Sequence, residues 1–348
     1  MPRLHYLDNI KILLIVIVIW VHAAQPYGPA AAWPITAPVP FSFADILIVG
    51  AFLTISTSFF MGLFFFISAY FLPGSFDRKG GKRFLKDRFI RLGIPLIIVM
   101  ASIIPLIGYL TGTALWFSYL WFIVILIIMA LAYSAWRRCR LTVRKVACPG
   151  NGTLVVAALT LGAANFIVRC RYPLDNWKLY HTVEPAHAPL YILLIIAGIL
   201  AYRNNWLAAL PASLARLWGI VVVICLFGLG ILSAAFGNAL QQGGFTLASL
   251  LFSFWEAFIG IGICVCALII FKKRWNTAGR VVTVLAQNVY AVYLLQFPIV
   301  LGVQWIFIQS ALPLLLQFVL VGAIATALCF TISNYIVRRS AARATIAQ

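Results

Sequence analysis

The sequence predicts an all-α, polytopic membrane helix bundle of about ten transmembrane helices with both termini in the cytoplasm. Three observations carry this. Hydrophobic residues make up 64% of the 348 and charged residues only 9%, against roughly 25% charged in a soluble domain. Apolar runs long enough to cross a bilayer recur from one end of the chain to the other. Lysine and arginine concentrate in alternate loops between those runs.

The runs fall at about 8–25, 45–72, 91–110, 117–136, 153–168, 189–202, 217–236, 246–271, 282–307 and 313–337. With the N-terminus inside, 23 of the 26 basic residues lie in inner segments, and only Arg169, Arg171 and Lys178 lie outside. An odd number of helices would scramble that bias. The net charge of +19 therefore reflects positive-inside anchoring at the lipid bilayer, and no nucleic-acid partner is expected. The seven cysteines sit mostly in apolar runs or basic loops, which suits small buried hydrophobes better than a disulfide framework or a zinc site. No cleavable signal and no internal repeat is evident, so residues 1–348 read as a single transmembrane domain.

The first run, RLHYLDNIKILLIVIVIWVHAAQ, organises the chain. At 100° per residue, the eleven steps from Lys11 to His22 return to within about 20° of the same face, and Asp8 lies about 40° away. These three form one polar stripe, with His22 roughly 16 Å beyond Lys11. Ionisable residues inside a membrane segment are costly and point to function. The competing reading is a packing histidine bonded to a neighbouring helix.

The loop that follows, PYGPAAAWPITAPVP, should run extended near the membrane surface. Asp45, at the start of the second run, reads as a helix cap. The next loop, SFDRKGGKRFLKDRFIRLGIP, is the most basic. Arg88 and Arg91 are three apart, so on a helix they share a face and can fork a phosphate. Plain anchoring on anionic lipid is the alternative. In the outer stretch 169–188, Asp175, His181, Glu184 and His187 gather. It reads either as a solvated loop with interfacial Trp177 and Tyr180 or as a cap over a cleft. Pro185 interrupts the spacing a metal site would need.

Glu256 sits in SFWEAFIGIG, deep in the eighth run. A charged acid near a helix centre costs about 2.5 to 3.5 kcal/mol, so it needs a partner such as His22 or an arginine. The ninth run, LAQNVYAVYLLQFPIV, carries Gln287, Asn288, Tyr290, Tyr293 and Gln296 at helical spacing. This neutral stripe can line a cleft or glue helices together. Pro298 is expected to kink the helix.

Taken in order, RLHYLDNIK…VH, FFFISAYFLP, RKG…FLKDRFIRLGIP, LWF, APLYI…AGILAYRNNWL, WEAF and NVYAVYLLQFPIV resemble the acyltransferase-3 family of integral membrane acyltransferases. The likeness is closest to the branch related to glucans biosynthesis protein C and runs over nearly the whole chain. It implies a ten- or eleven-helix protein of the bacterial inner membrane. Such a protein moves an acetyl, succinyl or similar group from cytosolic acyl-CoA to a hydroxyl of an extracytoplasmic carbohydrate or glycolipid, with no metal or prosthetic group. Carried over, His22 matches the catalytic histidine, Lys11 its basic partner with Asp8 beside it, and Glu256 the acid of a late helix. Arg88 and Arg91 match the cytosolic Arg-x-x-Arg motif. Ser68, Ala69 and Tyr70 match a motif usually written Ser-Gly-Tyr or Ser-Gly-Phe, with Ser68 and Tyr70 on the donor side. Asn288, Tyr293 and Gln296 are placed at the acceptor. Three departures stand out: Ala69 replaces glycine, Lys11 replaces the commoner arginine, and Gln296 stands where many members have histidine.

Histidine titrates near neutrality. His22 can take the proton of an attacking hydroxyl or be acylated first. The competing function is an exporter of a small molecule, proton-coupled or passive, with Asp8, His22 and Glu256 as relay groups.

Overall fold

An apolar segment surrounded by lipid can satisfy its backbone polar groups internally only by coiling into a helix. The computed structural model describes residues 3–27, 33–37, 42–112, 118–139, 145–179, 181–277 and 279–346. Among them, ten helical spans are long and apolar enough to cross a membrane: His5–Tyr27, Phe43–Lys79, Gly81–Thr111, Trp121–Arg138, Asn151–Arg169, Pro185–Arg203, Leu214–Leu240, Leu247–Arg274, Arg280–Phe307 and Leu314–Val337. No strand is found among the described residues. The expected extended loop after the first span lies partly outside them, at 28–32 and 38–41, as do Arg140, Arg144 and Tyr180.

The second and third spans are longer than the apolar runs suggest. The second is three helices, Phe43–Thr57, Phe60–Tyr70 and Leu72–Lys79. Its start is a reciprocal cap. The Asp45 N–H donates to Ser42 Oγ at 3.1 Å and the Ser42 N–H to Asp45 Oδ2 at 2.9 Å. The junction with the third span turns on Gly80, at φ 72°, a region only glycine enters freely. Lys79 and Asp87 form an ion pair across that turn. The third span then passes through a π turn at Phe89–Gly93 before Ile94–Ala101 and Ile103–Thr111. The ninth helix, Arg280–Phe307, runs unbroken through Pro298.

The helices gather into two compact units. One comprises Met1–Thr57, Ser102–Leu115 and Phe271–Gln348, the other Ser58–Ala101 and Trp116–Ile270. In the first, Leu7, Ile10, Leu14, Ile15 and Ile19 are fully buried along the first span, which packs on the ninth and tenth. Trp20 meets Phe318 edge-on at 5.4 Å and lies over Gly322. Near the start of that span, Asn9 Nδ2 donates to the Trp275 carbonyl at 2.6 Å and the Tyr6 N–H to Asn276 Oδ1 at 3.3 Å.

In the second unit, Phe60–Tyr70 packs against the sixth span. Gly198 makes the close approach possible, because a Cβ there would come 2.4 Å from the Phe66 carbonyl. At the ends of the second, fourth and sixth spans, Arg203 holds Asp77 with both nitrogens, at 2.6 and 3.1 Å, and donates to Tyr133 at 2.6 Å. Arg137 reaches the same carboxylate at 3.3 Å. The seventh span leaves Phe227 and Ile231 exposed at 74% and 71%, the surface expected of a helix bathed in lipid.

Candidate active site

The first span ends where its last carbonyls need partners. Gln304 of the ninth span supplies them: its Nε2 donates to the His22 carbonyl at 2.9 Å and to that of Ala23 at 3.4 Å. The amide oxygen of the same side chain accepts the indole N–H of Trp33 at 2.8 Å. Trp33 thereby comes to rest on the His22 imidazole, 5.2 Å between centroids and tilted by 30°. Phe297 sets its edge against both rings, at 6.1 Å from His22 and 5.1 Å from Trp33. Two aromatic rings thus hold the imidazole.

Its protonation pattern follows from Gln296. The Gln296 Oε1 lies 2.6 Å from His22 Nδ1, and an amide oxygen only accepts. Nδ1 therefore carries the proton and, in the neutral ring, Nε2 keeps its lone pair. Gln296 is wholly buried, and its Nε2 has no hydrogen-bond partner within the described chain.

The other stripe residues lie in the same unit. Lys11 and His22 share one continuous helix, His5–Ala24, which keeps them about 16 Å apart along its axis. Lys11 Nζ pairs with Asp8 Oδ1 at 2.7 Å, and Arg3 Nε binds Asp8 Oδ2 at 2.7 Å. Tyr293 and Asn288 are buried. Asn288 Nδ2 bonds back to the Val284 carbonyl at 2.7 Å while its Oδ1 has no partner within the described chain.

Glu256 belongs to the second unit, and its partner is an arginine. One oxygen forms a buried ion pair with Arg169 Nη2 and also accepts from Asn165 Nδ2 at 3.1 Å. The other lies 3.0 Å from His187 Nε2. His187 Nδ1 in turn lies 2.6 Å from Glu184 Oε2, and Glu184 Oε1 accepts the backbone N–H of Asp175 at 2.9 Å. Arg169 also bonds Ser253 Oγ and the Ala186 carbonyl, both at 3.4 Å. Burial alone would raise the Glu184 carboxyl. His187 against it, with the Asp175 N–H and the Arg169 charge, outweighs burial and holds it below its ordinary value of 4.5. The stretch 169–188 is thus not solvated throughout. Glu184 and His187 turn inward, while His181 stays exposed beside Trp177, 6.3 Å away. No group of three or more His, Cys, Asp or Glu side chains placed to hold a metal ion occurs among the described residues.

Arg91 lies inside the π turn Phe89–Gly93, so its angle to Arg88 is not that of a regular α-helix. Arg88 is half-buried over the Phe84 ring at 5.4 Å, and Arg91 is exposed. Ser68 is half-buried, and Tyr70 is buried edge-on against Tyr202 at 5.5 Å.

Trp33, Gln304, Arg169 and Asn165 were not singled out from the sequence as site residues. One signal was present for Arg169, which stood among the three basic residues outside the positive-inside pattern. A cation in the wrong place needs a carboxylate.

Compared with known proteins, residues 4–334 match a family model described as an acyltransferase domain. No curated protein and no solved structure matches the chain.

Proposed function

Since the chain belongs to the acyltransferase-3 family of membrane acyltransferases, we propose that it moves an acetyl, succinyl or similar group from cytosolic acyl-CoA to a hydroxyl of an extracytoplasmic carbohydrate or glycolipid. The observation that supports this best is the bond from His22 Nδ1 to Gln296. It leaves Nε2 as the one basic nitrogen of a ring whose orientation is already set.

In direct transfer, the acceptor oxygen attacks the thioester carbonyl while His22 Nε2 takes its proton. The C–S bond breaks, and the imidazolium returns the proton to the departing CoA thiolate. In the covalent route, Nε2 itself attacks the carbonyl and expels the CoA thiolate, and the acyl-imidazolium then passes its group to the hydroxyl, whose proton goes to the thiolate. Both give one ester and one free thiol, and both need the Nε2 lone pair.

Arg88 and Arg91 are assigned to the CoA phosphates, a task suited to guanidinium groups, with Ser68 and Tyr70 on the donor side. Lys11 and Asp8 make the basic end of the stripe. Asn288 and Tyr293 are assigned to the acceptor, and Gln296, read from the sequence as an acceptor residue too, acts from behind by holding His22 Nδ1. Glu256 is read as a positioning acid, because both of its oxygens are engaged by Arg169 and His187.

The test is consumption of labelled acetyl- and succinyl-CoA by membranes containing the protein, with crude glycan acceptors and a His22→Ala control at matched expression. Label transfer that disappears in the variant is expected. If neither protein consumes or binds either donor, the acyltransferase reading falls and transport is tested next.

A further inference from the structure

We infer that Trp33, held by Gln304, is a positioning residue for His22, and that it holds the ring so that its Nε2 edge meets the acceptor. This rests on the reading of His22 as the reacting group.

Three described neighbours hold the ring. Nδ1 is taken by Gln296 at 2.6 Å. One face is covered by the indole of Trp33, and Phe297 stands edge-on. What distinguishes Trp33 from a chance aromatic contact is how it is held. Its N–H donates to Gln304 Oε1, and the Nε2 of that same amide is spent on the His22 and Ala23 carbonyls. Gln304 is wholly buried, so a swing of Trp33 leaves a buried carbonyl oxygen without its donor, which is unfavourable. One amide therefore locks the indole to the same helix end that carries the imidazole. Trp33 keeps part of its own surface accessible, so it also forms a wall against which an acceptor lies.

The two contributions of Trp33 are separable. Phenylalanine keeps the ring on His22 but cannot donate to Gln304. Alanine removes both. Misplacement of a reacting group by about 1 Å can cost roughly 100-fold in rate.

The experiment uses the full-length protein in detergent, with labelled acetyl-CoA and crude glycan acceptors. Trp33→Phe is expected to lower kcat for transfer about tenfold and Trp33→Ala about 100-fold, with the donor KM unchanged within about twofold. Gln304→Met should lower kcat at least as much as Trp33→Phe, because it also removes the bonds to the His22 and Ala23 carbonyls, and the double variant should be no worse than Gln304→Met alone, because the Trp33 bond is already gone. A second reading needs no activity. Carbethoxylation of His22 Nε2 by diethyl pyrocarbonate, followed by mass spectrometry, should run at least about fivefold faster in Trp33→Ala, where the indole wall beside that approach is gone.

Wild-type kcat in the folded Trp33 variants, fully additive losses in the double variant, or His22 reactivity unchanged in Trp33→Ala would each overturn the inference. If Trp33→Ala does not fold, Trp33→Phe and Gln304→Met carry the decision. A wild-type protein that never consumes the donor overturns the acyltransferase reading instead, and the reactivity of His22 still decides whether Trp33 shields it.

Discussion

Arg169 and Glu256 join the fifth span to the eighth as an ion pair with only about 2% of either side chain exposed. A buried pair is poor evidence of net stabilisation, but removing one partner strands the other charge at a cost of about 3–5 kcal/mol. Glu256→Gln and Arg169→Met are each expected to lower the melting temperature in detergent sharply. The double variant Arg169→Met with Glu256→Leu should recover much of the loss, because it strands neither charge of the pair. Two mild single variants would mean that Asn165 and His187 carry the site without the pair.

Glu184 gives the same cluster a pH dependence. Its carboxyl is held below 4.5 in the folded protein by His187, against the effect of burial. A carboxylate whose pKa falls on folding adds stability that is fully present above its unfolded pKa. That stability is lost as pH falls through the folded one. Glu184→Gln should therefore lower the melting temperature at pH 7, and its difference from wild type should shrink steadily below about pH 4.5. Thermal unfolding of both proteins between pH 7 and pH 3 reads this directly. A difference that grows on acidification would refute the assignment.

Gly198 shows where the small residue at a helix crossing has gone. Family resemblance places a glycine at 69, and this chain has alanine there. A Cβ on Gly198 would lie 2.9 Å from the Ala69 Cβ and 2.4 Å from the Phe66 carbonyl. One of two closely crossing helices must give way, and here it is the sixth span. Gly198→Ala is expected to reduce the yield of folded protein severalfold in size-exclusion profiles. Ala69→Gly added to it should restore only part, because the Phe66 backbone still obstructs. Full restoration would show that the side-chain contact alone sets the spacing.

Much of the fold was legible because lipid imposes a single rule, and apolar length with basic loops reports it. The ten spans lie at their sequence positions, with the second extended to Lys79, the third back to Gly81 and the sixth back to Pro185. The break at Ser58–Phe59 was not legible, since it contains neither the proline nor the glycine that marks an interruption, whereas the one at Ser102 precedes Pro105, which has no N–H for the Ala101 carbonyl. Within the site, His22 and Gln296 could be singled out, since each is polar in an apolar run. Gln304, polar in the same ninth run, carries the same signal, while Trp33 carries none. Their contacts join residues 271 positions apart, and a tryptophan in a loop near a membrane ordinarily reads as an interfacial anchor. Glu184 and His187 read as loop residues because the burial of a short turn is decided by tertiary packing, which periodicity does not record.

Gln296 carries the prediction closest to the chemistry. Its oxygen fixes the proton of His22 on Nδ1, so Gln296→Leu would leave that N–H without its acceptor and release the tautomer. Orienting groups behind a catalytic imidazole act mainly on rate rather than on binding. His22-dependent transfer should therefore fall about 100-fold in Gln296→Leu while the donor KM stays near that of wild type. Gln296→Glu keeps an acceptor opposite Nδ1, so it should retain more activity than the leucine variant even though it buries a charge. The two are compared by initial rates at saturating labelled donor, with folding checked by thermal unfolding. A folded leucine variant with wild-type rate would remove Gln296 from the mechanism and leave the ring held by Trp33 and Phe297 alone.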